Sequence, residues 1–176
     1  MALLLQGSSF EIKRVNESDI PAILEVYRQC EDFLALGPVP YASLPMVLKD
    51  LEISRDAGGI FCGIYDFAGQ MMGIVDYVPA GFEGNPRHAF LELLMIAAPY
   101  RGHGLGAEVV SLVEAEIARN SAIEAILSGV QVNNPAAIRF WQRRGYQIVG
   151  EPQLFPDQTT AYPLQKKIHR ESAGRC

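Results

Sequence analysis

Apolar and polar side chains alternate over Phe10–Val15 (FEIKRV), which predicts a half-buried first strand. The spacing then becomes helical. Ile20, Ile23, Leu24, Tyr27 and Cys30 share one face of a helix that Asn16 or Ser18 can cap. It runs through Phe33–Leu36 and stops at Gly37-Pro38. A second helix, capped by Ser43 with Pro45 near its start, carries Met46, Val47, Leu48, Leu51 and Ile53 and ends at Gly58-Gly59. Ile60–Phe67 and Met71–Val78 read as a hairpin joined through Ala68-Gly69-Gln70. Pro79–Arg87 is a glycine- and proline-rich loop expected to be exposed and mobile, and a fourth strand covers His88–Ala97. A third helix spans about Gly104–Arg119, and Ile123–Val132 is an apolar, central strand. Asn133-Asn134-Pro135 opens a fourth helix, closed by Gly145. Tyr146–Val149 and Thr160–Ile168 are the last strands.

The resulting order, βααβββαβαββ, predicts an α/β (α+β) domain with a mixed sheet of about seven strands flanked by about four helices. The passage from Leu91 to Val132 should be a right-handed crossover between parallel neighbours. Residues 10–168 form the domain, with an N-terminal extension at 1–9 and a flexible tail at 169–176.

Composition narrows this picture only a little. The chain has 176 residues, 49% hydrophobic and 20% charged, which suits one soluble globular domain. A net charge of −5 gives no reason to expect nucleic acid or membrane as partner, and is compatible with a cationic small molecule. Cys30, Cys62 and Cys176 are an odd number without metal-ligand spacing, so no metal site or disulfide framework is expected, and a cytoplasmic location fits.

Candidate chemistry concentrates in Leu91–Ala107 (LELLMIAAPYRGHGLGA). A buried strand there feeds a three-glycine loop at the start of a helix. Uncapped backbone N–H groups and the positive helix end make such a loop a seat for a phosphate or pyrophosphate.

Three stretches of the chain resemble the GNAT family of N-acetyltransferases. Arg101-Gly102-His103-Gly104-Leu105-Gly106 matches the signature R/Q-x-x-G-x-G/A between strand and helix. Asn134 to Trp141, followed by Arg144-Gly145-Tyr146, is similar to the family's N-x-x-A-x-x-F-Y-x-x-x-G-F. IKRVNESDIPAILEVY is similar to its first strand and helix. The resemblance implies acetyl-CoA, or another acyl-CoA, as donor. Backbone amides of residues 101–106 would take its pyrophosphate, and Leu94, Met95 and Ile96 would pair with the pantetheine arm as an added strand does. Asn134, Ala137 and Trp141 would lie near the arm; Asn134 also reads as a helix cap before proline. The implied acceptor is a primary amine, of a small molecule or else of a peptide or protein, and a homodimer is allowed.

Acyl transfer to an amine requires a deprotonated nitrogen, stabilisation of the oxyanion and a proton for the leaving thiolate. The family often supplies that proton from a tyrosine where this chain has Trp141, whose indole does not titrate usefully. Glu92 is the first candidate base: a carboxylate in an apolar strand, expected to be desolvated and to share one face with Leu94, opposite Leu91, Leu93 and Met95. The alternative for Glu92 is a solvent-facing or structurally paired carboxylate. His88 is the second candidate, on its intrinsic pKa. Asp76 and Tyr77 are unranked, and Glu31, Asp32, Phe33 and Tyr41 would frame the acceptor. Two other functional classes stay open: an acyl-CoA sensor without turnover, and an unrelated nucleotide-binding protein. Neither G-x-x-x-x-G-K-[ST] nor G-x-G-x-x-G occurs, which disfavours the latter.

Overall fold

Nine strands form a single mixed sheet in the computed structural model, which describes residues 4–155 and 158–169. The expectations placed on Cys176 and on the tail beyond His169 fall outside the described residues. The strands are β1 (Leu4–Gln6), β2 (Phe10–Arg14), β3 (Ile60–Asp66), β4 (Met71–Val78), β5 (His88–Ile96), β6 (Ala125–Gln131), β7 (Gln147–Ile148), β8 (Gln153–Leu154) and β9 (Thr160–Lys167). Their spatial order is β1-β2-β3-β4-β5-β6-β9-β7, with β8 paired to β9. Among the described residues β5 and β6 are the one parallel pair, as the crossover requires.

Nine strands rather than about seven arise because β1 and β8 are short and irregularly patterned, so periodicity does not show them. β1 pairs antiparallel with β2, from Leu4↔Lys13 to Gln6↔Glu11, and so extends the sheet into the first nine residues. The β3–β4 hairpin turns at Gly69, with φ of 87°, and Asp66 Oδ1 accepts from the N–H groups of Ala68 and Gln70. In the loop before β5, Phe82 stacks on Phe90 with ring centroids 4.0 Å apart, which anchors a segment expected to be loose.

There are five helices among the described residues: α1 (Ile20–Arg28), α2 (Glu31–Leu34), α3 (Leu44–Asp56), α4 (Leu105–Ala118) and α5 (Pro135–Arg143). The expected first helix is broken in two at Gln29–Cys30. The Gln29 carbonyl would accept from Phe33 in an unbroken helix. Instead it receives Arg101 Nη2 at 3.3 Å, and Phe33 N–H turns to Cys30.

The sheet separates two cores. Ile23, Val26, Tyr27 and Val47 from α1 and α3 pack on one face with Phe61, Met71, Ile74 and Met95. Val109, Val110, Val113 and Trp141 from α4 and α5 pack on the other with Ile64, Val75, Leu91, Ile126 and Val130. Each buried aliphatic side chain contributes roughly 1.5–3 kcal/mol of transfer free energy, so both layers are held firmly to the sheet.

Candidate active site

β5 and β6 pair from His88↔Ala125 to Leu91↔Ser128, and there their ladder ends. On its other edge β5 stays paired with β4 as far as Ile96↔Gly73. A gap therefore opens between β5 and β6, and at its head Ser128 Oγ donates to the Leu91 carbonyl at 2.8 Å. Pairing with β4 jumps from Leu93↔Asp76 to Leu91↔Tyr77, which leaves Glu92 as the extra residue of a β-bulge.

The bulge corrects the expected alternation. Leu91, Leu94 and Ile96 all join the core on the α4–α5 face, whereas Leu93 and Met95 join the one on the α1–α3 face. The phase of the backbone follows from Ala97 N–H, which donates to Met72 O at 2.9 Å. Counting back by alternate pairs, Met95 bonds towards β4, while Leu94 and Ile96 turn their N–H and C=O groups to the gap. The Ile96 carbonyl is already taken by Arg101 Nε at 2.7 Å and Cys30 Sγ at 3.4 Å. Leu94 thus offers the strand edge that an amide-bearing arm can pair with.

Beyond β5 the chain enters the glycine loop. Gly102 and Gly104 both have φ of 83°, where an L side chain is strained, although a Cβ at either would meet nothing within 4 Å. Gly104 is the N-cap of α4 and supplies no side-chain bond, so the first-turn N–H groups are uncapped by any side chain. His103 is exposed at the loop tip and Leu105 opens the helix. A Cβ on Gly106 would lie 3.6 Å from Ile96, 3.8 Å from Leu94 and 3.8 Å from Phe140. Strand, loop and α5 therefore converge on one point. Glu108, the acid of this first turn, is held by Ser8 N–H at 2.6 Å and Ser8 Oγ at 2.9 Å.

Arg101 serves the opposite wall with its side chain. Besides Ile96 and Gln29, it grips the Asp32 carboxylate through both terminal nitrogens and holds that carboxyl below its usual pKa range. Asn134 caps α5 by accepting from Ala137 N–H at 3.0 Å, as the cap reading expects. Trp141 is buried between Phe140 and Tyr146, with edge-on contacts at 5.3 Å and 4.9 Å. Phe140, beside it, is the aromatic whose ring comes within 3.8 Å of a Cβ at Gly106.

The candidate bases part company. Glu92 lies at the head of the gap and is exposed rather than buried as expected. His88 begins β5 beside Asn85, in the part still zipped to β6. Six residues separate it from Leu94, about 20 Å along a strand, so the structure does not bring it to the gap. The buried carboxylate is Asp76, which accepts from Ser54 Oγ at 2.7 Å and is pushed up to about 6 by desolvation. It faces α3 rather than the gap. Tyr77 is fully buried, and burial raises its hydroxyl.

Of the residues expected to frame the acceptor, Glu31 accepts from Ala42 N–H at 2.9 Å, closing the loop between α2 and α3, and Tyr41 is exposed. That loop crosses the open end of the gap, because Asn133 Nδ2 donates to Leu36 O at 3.0 Å. Gly129 and Gln131, on the wall opposite Glu92, were not singled out by sequence. An isolated glycine inside an apolar strand is the signal that marks this place.

This geometry agrees with what the chain is similar to. The Acetyltransferase (GNAT) family matches over residues 20–146. The Probable N-acetyltransferase san of Drosophila melanogaster is 27% identical over 89 residues, covering 49% of this chain and 48% of that protein. The chain therefore spans about half the length of this curated relative. Among solved structures, a ribosomal-protein-alanine N-acetyltransferase from Brucella melitensis superposes with a TM-score of 0.66 at 24% identity, covering 89% of this chain and 99% of that one. A spermidine N-acetyltransferase from Vibrio cholerae, in complex with CoA and spermine, gives 0.68 at 16% identity over 92% and 96%. No helix among the described residues is long and apolar enough to cross a membrane. With a family match over residues 20–146, a fold shared with these enzymes and the glycine loop set between β5 and α4, the chain belongs to the acetyltransferase (GNAT) family.

Proposed function

We propose that the protein transfers an acetyl group from acetyl-CoA to a primary amine by direct attack in a ternary complex. One observation carries this reading: the uncapped start of α4, the unshared backbone edge at Leu94 and the bulged Glu92 lie in succession along a single gap. The residues fit the donor. The N–H groups around Gly102–Gly106 suit its pyrophosphate, Leu94 suits its amide-bearing arm, and acetyl-CoA supplies the activated acyl group. The amine nitrogen forms the new C–N bond as the thioester C–S bond breaks, and CoA departs as its thiolate, which takes up a proton from solvent at this open site. Glu92 takes the proton the amine gives up, directly or through a water at this exposed position. The Leu94 N–H is the chain's own donor for the thioester oxygen.

The two similar solved structures are enzymes for acceptors of two classes, a ribosomal protein and spermidine. Composition favours a small-molecule amine, whereas the surroundings of the gap favour a peptide. A second reading, an acyl-CoA sensor without turnover, is kept because Trp141 occupies the position at which the family often has its proton-donating tyrosine.

Acetyl-CoA should raise the melting temperature more than NAD or ATP does at equal concentration. Glu92→Gln should retain that stabilisation and lose about 10²-fold in rate at neutral pH. Stabilisation by NAD or ATP but not acetyl-CoA would overturn the donor assignment. An unchanged rate and pH profile in Glu92→Gln would remove the base, and no free-thiol release with any of a broad set of amines would favour the sensor.

A further inference from the structure

We propose that the acceptor amine docks over Gly129 on β6, donating an N–H to Gln131 Oε1, and that the acceptor is a peptide with apolar residues next to its free amine rather than a polyamine. This rests on the acetyltransferase reading and concerns the side of the gap away from the donor.

Ile126 and Val130 of β6 are buried on the α4–α5 face, so alternation turns Gly129 and Gln131 towards the α1–α3 face. A Cβ added at Gly129 would have only Ala161 Cβ within reach, at 4.0 Å. Gly129 has no positive φ and needs no glycine for its backbone conformation. Glycine inside a strand costs roughly 0.5–1 kcal/mol relative to alanine. What it leaves here is room. Gly37 brings the loop across the gap up to Gln131: a Cβ there would meet Thr159 Cγ2 at 3.4 Å, Leu34 O at 3.5 Å and Gln131 Nε2 at 3.8 Å.

Gln131 Oε1 is buried and accepts no hydrogen bond. Such an oxygen costs roughly 1–3 kcal/mol unless something donates to it. It stands two residues from the open position, on the β6 wall of the gap, level with Leu94 when the β5–β6 register is continued. A protonated or neutral amine bound there would satisfy the oxygen and lie between the two walls.

The rim selects the class. The carboxylates of α2, next to the crossing loop, are already engaged: Glu31 with Ala42 N–H, and Asp32 with Arg101. A polyamine with further cationic nitrogens would find these acceptors committed. The two segments that meet at Gly37 and Thr159 expose four large apolar side chains, Val39, Tyr41, Leu154 and Phe155, beside the uncharged Gln153 and Gln158. They suit apolar side chains of a peptide.

Free-thiol release from acetyl-CoA separates the classes with two probes: an uncharged hexapeptide with a free amino terminus and apolar first three residues, and spermidine at equal concentration. The peptide should be acetylated with a kcat/KM at least about tenfold above that of spermidine. Gln131→Ala should raise the peptide KM roughly tenfold while kcat and the calorimetric Kd for acetyl-CoA stay the same. Gln131→Glu keeps an acceptor oxygen and should restore the KM. Gly129→Val should abolish peptide turnover without changing the acetyl-CoA Kd. Preference for spermidine, no turnover of the peptide, or an unchanged KM in Gln131→Ala overturns the inference while acetyl-CoA still binds. Failure of the unaltered protein to bind acetyl-CoA is a different outcome, and overturns the acetyltransferase reading itself.

Discussion

Asp76 and Glu92 stand on neighbouring strands and meet opposite environments. Asp76 is 2% exposed beneath α3, and Glu92 is open to water at the bulge. The difference has a measurable consequence in stability. Desolvation holds Asp76 near a pKa of about 6, above its value in the unfolded chain. Below about pH 4 both states carry the proton and the site is neutral towards folding. As pH rises from about 4 to 6 the unfolded chain releases it first, so stability falls, and the penalty of up to about 3 kcal/mol is complete above pH 6. Asp76→Asn keeps an acceptor for Ser54 but cannot ionise. Its stability relative to the unaltered protein should therefore improve by about 2–3 kcal/mol between pH 4 and pH 7, read by urea unfolding at both values. A constant difference would show that Asp76 titrates normally. Sequence shows both carboxylates but not their settings, because burial comes from helices packed across the sheet and the bulge from a pairing with β4.

At the scale of elements, locally determined features are legible and those set from a distance are not. The Asn134 cap, the Ser43 cap and the turn at Gly69 need only their own neighbours. The break between α1 and α2 depends on a guanidinium that arrives from Arg101 and takes the Gln29 carbonyl, so apolar spacing runs through it undisturbed. The glycine loop is legible in its kind, and its individual glycines divide by backbone conformation. Gly104→Ala places a side chain at φ of 83° and should cost about 1–2 kcal/mol of stability together with acetyl-CoA affinity. Gly106→Ala sits inside α4 with ordinary contacts of 3.6–3.8 Å and should fold at least as stably. Thermal unfolding of the two variants, with and without acetyl-CoA, checks the contrast. Equal losses in both would mean that space rather than conformation sets the glycine requirement.

Across the whole molecule, the sheet is two ladders joined by a short parallel seam. β1 to β5 form one, and β6 with β9, β7 and β8 the other, with pairing between them confined to residues 88–91 and 125–128. The order of elements and the parallel seam follow from the sequence pattern; the extent of the seam does not, since nothing in Leu91–Ile96 announces where β6 departs. Amide exchange reads the seam directly. Acetyl-CoA should slow exchange at Leu94, whose N–H faces the gap, and leave Met95, already bonded within the β4–β5 ladder, unchanged. Equal protection of both would place the arm elsewhere.

Arg101 adds one consequence at this scale. A single guanidinium touches the end of β5, the last turn of α1 and the first turn of α2, so donor loop and acceptor wall share a side chain. Two ligands that meet such a shared element are thermodynamically linked. Whatever factor a filled donor seat applies to the affinity for the amine, the bound amine must return to the donor unchanged in size.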